Sequence, residues 1–292
     1  MQGENMSEKI FIPYDMKLLD PKIDSTFKTL FTRSAPGSET ALKGLVKAVT
    51  GYEPEEITIL NSELPKDIAH AKDIRLDLSC RMKDGSLIDI EMQTFIGNDN
   101  LRLRSLYYGC RMVSSAEMKG HYYRRLPRVY QVMFTNFRLF EENDDFIQSF
   151  RMQNGDIELT DRLQIIFIQM PLVEIGEREI KNLSELEKWV IFLRDGTDRT
   201  KRDILNSIME SSPEIMNTGG ILMNISKDLK EWAIQESRIK GELDYQSGLL
   251  ASYDTGLEKG LEQAARGMKT ENIPSETISK ITGLTQEQIA AL

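Results

Sequence analysis

"RLDLSCRMKDGSLIDIEMQT", residues 75–94, reads as a β-hairpin turning at Lys83-Asp84-Gly85. Side chains on a strand alternate between faces. Leu76, Leu78, Cys80 and Met82 therefore share one face of the first strand, and Asp77, Ser79 and Arg81 share the other. On the returning strand Ile88, Ile90 and Met92 face the same core, which leaves Asp89, Glu91 and Gln93 opposite. A two- or three-residue turn sets Asp77 across from Glu91 or one diagonal step away. Two carboxylates this close repel unless something pairs them. A divalent cation would do so with hard oxygen ligands, and Mg²⁺ or Mn²⁺ suits two acids plus waters. A plain cross-strand ion pair with Arg81 is the other way to satisfy the same charges, and the spacing alone leaves both open.

Around the hairpin the patterning alternates helix and strand. "DPKIDSTFKTLFTRS" (20–34) is expected to be a helix capped by Asp20, with Ile23, Phe27, Leu30 and Phe31 inward. "SETALKGLVKAVTG" is expected to be a second helix, capped by Ser38 and stopped at Gly51. A short strand over 55–64, the hairpin at roughly 73–82 and 86–94, a helix at 100–118, and the strands "RVYQVMFTNF" and "LQIIFIQMPLV" complete an α/β or α+β domain ending near residue 175. Residues 176–292 have helical three-to-four spacing, with breaks expected at Pro213 and Gly219-Gly220 and a two-helix tail at about 273–292 whose N-cap signals are Ser275 and Thr285. Within the helical stretch 249–268, Gly256, Gly260 and Gly267 each weaken the helix by about 1 kcal/mol relative to Ala. The tail has the outline of a helix-turn-helix but carries little beyond Lys280 to meet DNA.

Composition narrows the class. The 292 residues carry a net charge of -9 and 40% hydrophobic residues, enough for a sizeable core. Residues 1–138 hold 20 Lys+Arg against 18 Asp+Glu (+2), and residues 139–292 hold 17 against 28 (-11). Within the first part, residues 97–138 contain eight basic residues and two acids, a local +6 that could face phosphate. No apolar run is long enough to span a bilayer and no secretion signal is evident, so a reduced, cytoplasmic protein is expected. Cys80 and Cys110 lack metal-ligand spacing, His70 and His121 stand alone, and no Ser-His-Asp set, glycine-rich phosphate loop or zinc cluster is visible.

The order of motifs resembles the Rpn/PD-(D/E)XK nuclease-family transposases. "KIDSTFKTLF" (22–31), the hairpin (75–93), "RLRSLYYGCRM" (102–112), "KGHYYRRLPRVYQVMFTNF" (119–137) and "ITGLTQEQIAAL" (281–292) run in that family's order. The resemblance implies a restriction-endonuclease-like core, a mixed sheet flanked by helices, followed by an all-α C-terminal region. It also implies a divalent-metal-dependent DNA endonuclease linked to recombination or mobile elements. Asp77 and Glu91 would hold Mg²⁺ or Mn²⁺, and Gln93 stands where many relatives have lysine. Asp24 matches the helix-borne acid of the first motif, whereas Asp89 is not called for and reads as a surface acid. Glutamine can orient a water or a phosphate oxygen but brings no charge. Arg104, Tyr107, Tyr108 and Arg111 share a helical face. Of these, Arg104, Tyr108 and Arg111 are the candidates for DNA phosphate contact. The competing expectation is a weak or inactive DNA-binding or protein-interaction module on the same fold, and an RNA substrate is not separable. The C-terminal helices are a route to homo-oligomers.

Overall fold

The computed structural model describes residues 10–32, 37–60, 77–95, 100–115, 123–176 and 179–292. His70, His121 and residues 73–76 of the expected first hairpin strand lie outside the described residues. Two compact units are present, residues 1–236 and 237–292.

In the first unit a mixed sheet runs β1 (Ile57–Ile59), β2 (Leu78–Met82), β3 (Leu87–Gln93), β4 (Val129–Thr135), β6 (Ile157–Gln169), β5 (Ile147–Asn154). The β3–β4 and β4–β6 pairs are parallel and the remaining pairs antiparallel. Helix α1 (Asp24–Thr32) and helix α2 (Ser38–Thr50) precede the sheet, and helix α3 (Leu101–Ser115) forms the crossover between β3 and β4. Gly37 rather than Ser38 occupies the N-cap of α2, with φ 93, and Gly51 ends that helix at φ 72. Asp20 lies before α1, where its carboxylate accepts from the Lys22 N–H.

Both faces of the sheet are covered. Ile88, Ile90, Met92, Val132, Phe134, Ile166 and Ile168 point into the main core with Phe27, Leu30, Leu42 and Leu45. The other face packs Leu87, Val129, Met133, Leu163, Ile165 and Phe167 against Leu101 and Met112 of α3. Gly109 makes that approach possible, since a Cβ there would stand 2.8 Å from Leu163 Cδ1.

Four expectations change. A strand not read from the sequence, β5, forms the edge of the sheet and pairs with a β6 that starts at Ile157, six residues before the expected strand. Its residues are largely exposed, so no burial alternation marks it, although the Asn154-Gly155 turn (Gly155 φ 56) was a usable hairpin signal. The boundary expected near residue 175 moves to 236/237. Helices α4 (Glu185–Asp195), α5 (Arg202–Ser211) and α6 (Pro213–Ile225) bury Trp189, Val190, Phe192, Leu205, Ile208 and Leu222 in the same core as the sheet. Helix α6 also continues through Gly219-Gly220, because a Cβ at Gly219 would meet Met209 Cε of α5 at 2.4 Å. The pair serves helix packing rather than a break.

The chain then enters α7 (Leu229–Thr270), a 42-residue helix, followed by α8 (Ser275–Thr282) and α9 (Gln286–Ala291). Thr285 caps α9 in a capping box, while Pro274, not Ser275, occupies the N-cap of α8. In the second unit Ala265, Ile278, Leu284 and Ile289 form a small core with Met268, Ile273 and Leu292.

Candidate active site

The turn between β2 and β3 has three residues, Lys83, Asp84 and Gly85. The Met82 N–H donates to the Ser86 carbonyl at 2.8 Å, and Gly85 adopts φ 86. Leu78 is paired with Ile90 and Ser79 with Asp89, a register that continues to Asp77 opposite Glu91. The turn length thus selects the directly opposed arrangement. The Asp77 N–H donates to Glu91 Oε1 at 2.7 Å, and the Met92 N–H donates to Asp77 Oδ2 at 3.2 Å. Arg81 is exposed on its strand and is not the partner of either acid.

Both carboxyls are withdrawn from water, Glu91 to 6% exposure. Burial, and then the neighbouring Asp77, push the Glu91 carboxyl up to about 8. Burial likewise raises Asp77, with Asp24 adding to the rise and Lys28 opposing it. Lys28 Nζ stands 3.2 Å from Asp77 Oδ1. It lies one helical turn beyond Asp24 on the same face of α1, so Asp24 and Lys28 reach this end of the sheet together while Phe27, Leu30 and Phe31 bury the other side of the helix. The sequence signal for Lys28 is a cation four residues after Asp24, on the same helical face.

From the opposite face, α3 brings Arg104. Its Nη2 donates to Gln93 Oε1 at 2.6 Å, while Gln93 Nε2 donates to the Phe95 carbonyl at 2.8 Å. The guanidinium lies 5.9 Å from the Tyr108 ring centroid. A guanidinium therefore sits against Gln93, and the glutamine carbonyl is the group that receives it. Tyr107 is exposed, and Arg111 is partly buried a further two turns along α3 from Arg104.

Asp89 is the clear miss. Expected at the surface, it is fully buried (0% exposed), because α3 covers the face that alternation assigned to polar residues. It accepts from Gln131 Nε2 at 2.7 Å across the β3–β4 pair. Burial first, then Glu91, hold its carboxyl well above the ordinary carboxylate range. Among the described residues, Asp89 Oδ1 and Gln131 Oε1 are both buried without a hydrogen-bond partner. A glutamine in the apolar run of β4 was the available hint.

The donor set fits a small divalent cation. Two opposed carboxylates, both raised by burial, Glu91 further by Asp77 and Asp77 further by Asp24, are relieved when a cation holds both ionised. Among the described residues no group of three or more His, Cys, Asp or Glu comes together as a metal cage. Such an ion would complete its shell with water or substrate oxygens, as Mg²⁺ commonly does.

A mixed sheet with a β3–α3–β4 crossover, two opposed acids at the carboxyl end of β3 and helices on both faces defines a restriction-endonuclease-like nuclease core. The model of the PD-(D/E)XK nuclease family transposases matches residues 21–252, and the chain belongs to that family. No curated protein and no solved structure matches the chain. Nuclease activity on DNA, supported generally by divalent metals, is what membership brings at the level of the family. Among the described residues no helix is long and apolar enough to cross a membrane.

Proposed function

We propose that this protein is a metal-dependent DNA endonuclease that hydrolyses phosphodiester bonds in recombination or the movement of genetic elements, acting in the cytoplasm. The observation that carries the reading is the buried Asp77–Glu91 pair flanked by Lys28 on one side and Arg104 on the other. Asp77 and Glu91 would hold Mg²⁺ or Mn²⁺, with Asp24 close enough to Asp77 to raise it. Held by Asp77 and Glu91, such an ion would supply activation of water and charge compensation for the scissile phosphate.

The chain's own residues divide the remaining work. Lys28 and Arg104 present cationic groups on either side of the acids, placed to receive the nonbridging phosphate oxygens. Gln93 brings no charge of its own but fixes Arg104 through its carbonyl, so the charge lost with the absent motif lysine is replaced from α1 and α3. Tyr108 and Arg111 continue the α3 surface as candidates for contact with the backbone beyond the cut. The C-terminal helices serve association between copies.

The test incubates supercoiled plasmid and a matched single-stranded RNA with the protein in Mg²⁺, Mn²⁺ or EDTA, beside Asp77→Ala and Glu91→Ala. DNA cleavage that requires the metal and both acids is expected. Cleavage that survives EDTA or either substitution overturns the metal site. A well-folded wild type that binds DNA without cutting it points to a binding module on the same fold.

A further inference from the structure

Among the described residues, helix α7 carries a regular, largely apolar seam whose large side chains are exposed. From Ile239 the positions Leu243, Gln246, Leu250, Tyr253 and Leu257 follow at alternating steps of four and three, and Gly260 and Ala264 continue the same steps. That average period of 3.5 residues is the one that keeps a stripe facing a second helix along its whole length. Leu243 is 53% exposed, Leu250 66%, Tyr253 68% and Leu257 52%. Beyond Leu257 the inward side of α7 is instead Ala265 and Met268, which meet α8 and α9, so the seam and the small core use different faces.

The glycines sharpen the point. At Gly241, Gly248, Gly256 and Gly260 a Cβ would meet nothing within 4 Å among the described residues, so no packing against those residues calls for them. Each weakens the helix relative to alanine. A solvent-exposed helix so interrupted needs stabilisation from outside its own backbone, and in proteins that comes from packing an apolar face.

We infer that residues 239–264 of α7 pair with the same segment of a second copy as a two-stranded coiled coil. This rests on the reading of the C-terminal helices as the means of association and is independent of the nuclease chemistry. Leu243, Leu250 and Leu257 occupy one set of seam positions and Ile239, Gln246 and Tyr253 the other. In a parallel, in-register pair Gln246 meets its own copy, a polar contact within an otherwise apolar seam. Burying the exposed parts of the four large side chains removes about 500 Å² per copy, or about 1,000 Å² between two copies, which reaches the lower bound for a biological interface. A parallel pair related by a twofold axis is a closed assembly.

The full chain is measured by sedimentation equilibrium and light scattering, with circular dichroism to confirm folding. Wild type is expected at twice the chain mass of 33.5 kDa. The Leu250→Lys/Leu257→Lys double variant is expected at 33.5 kDa, while Thr255→Lys, off the seam, stays at twice that mass. Gln246→Leu is expected to lower the dissociation constant at least tenfold. A monomeric wild type at 100 µM overturns the inference together with the association reading. A double variant that remains dimeric overturns the seam alone and leaves association standing.

Discussion

Replacing Glu91 by glutamine isolates the electrostatics of the site. An ordinary glutamate titrates near 4.5, and Glu91 is pushed up to about 8. The folded chain therefore holds this proton more tightly than the unfolded chain. The stabilisation it contributes is complete below pH 4.5 and is lost as pH rises to about 8. At about 1.4 kcal/mol per tenfold difference the metal-free protein gives up at most about 5 kcal/mol by pH 9, and sharing charge with Asp77 brings the expected value to about 2–4 kcal/mol. Glu91→Gln keeps a carbonyl for the Asp77 N–H, now held at 2.7 Å, and never ionises. Metal-free wild type and variant should melt close together at pH 5. At pH 9 the variant should melt higher by about 5–15 °C. Saturating Mg²⁺ should raise wild type at pH 9 and leave the variant unmoved. Thermal unfolding in EDTA and in Mg²⁺ at pH 5, 7 and 9 measures all of this. A variant–wild-type difference that stays constant from pH 5 to 9, or equal stabilisation of both by Mg²⁺, refutes the reasoning.

Two further outcomes follow from the same geometry. Lys28→Met removes the ammonium 3.2 Å from Asp77 Oδ1 and leaves a buried carboxylate without that cation. It should cost about 1–3 kcal/mol in urea unfolding at pH 7, less at acid pH because burial raises the Asp77 carboxyl, and it should abolish plasmid cleavage; an unchanged midpoint would contradict the pairing. Gly109→Val drives a branched side chain toward Leu163, already 2.8 Å from the position of a Cβ. The wedge should destabilise by about 1–3 kcal/mol and reduce cleavage at least tenfold by moving the Arg104-bearing helix, although residue 109 touches neither acid; full activity would show that α3 need not be held this closely.

The parts of the fold that could be read without coordinates are those written in contiguous residues. Alternation put Asp77, Glu91 and Gln93 on one face because a strand repeats every two residues, and Gly85 marked the turn between them because it supplies φ 86. The helical stripe of α1 and the αL stop at Gly51 were legible for the same reason. The exposed, largely polar edge strand β5 was not, since its pairing rather than its own burial makes it a strand. Nor was the domain boundary, because Trp189 and Leu205 belong to the sheet's core only by packing back across it.

Within the site the division is sharper. The sequence by itself determined which side chains share the acid face of the hairpin, and the ordered motifs around them determined the family. Only the tertiary structure decided that this face lies beneath α3, which turns Asp89 from an expected surface acid into a buried one bonded to Gln131. Only it brought Lys28 to Asp77 across 49 residues of chain and Arg104 to Gln93 from the crossover helix. A strand's period fixes where a side chain points, but the charge it meets there depends on which distant helix the core requires to pack over it.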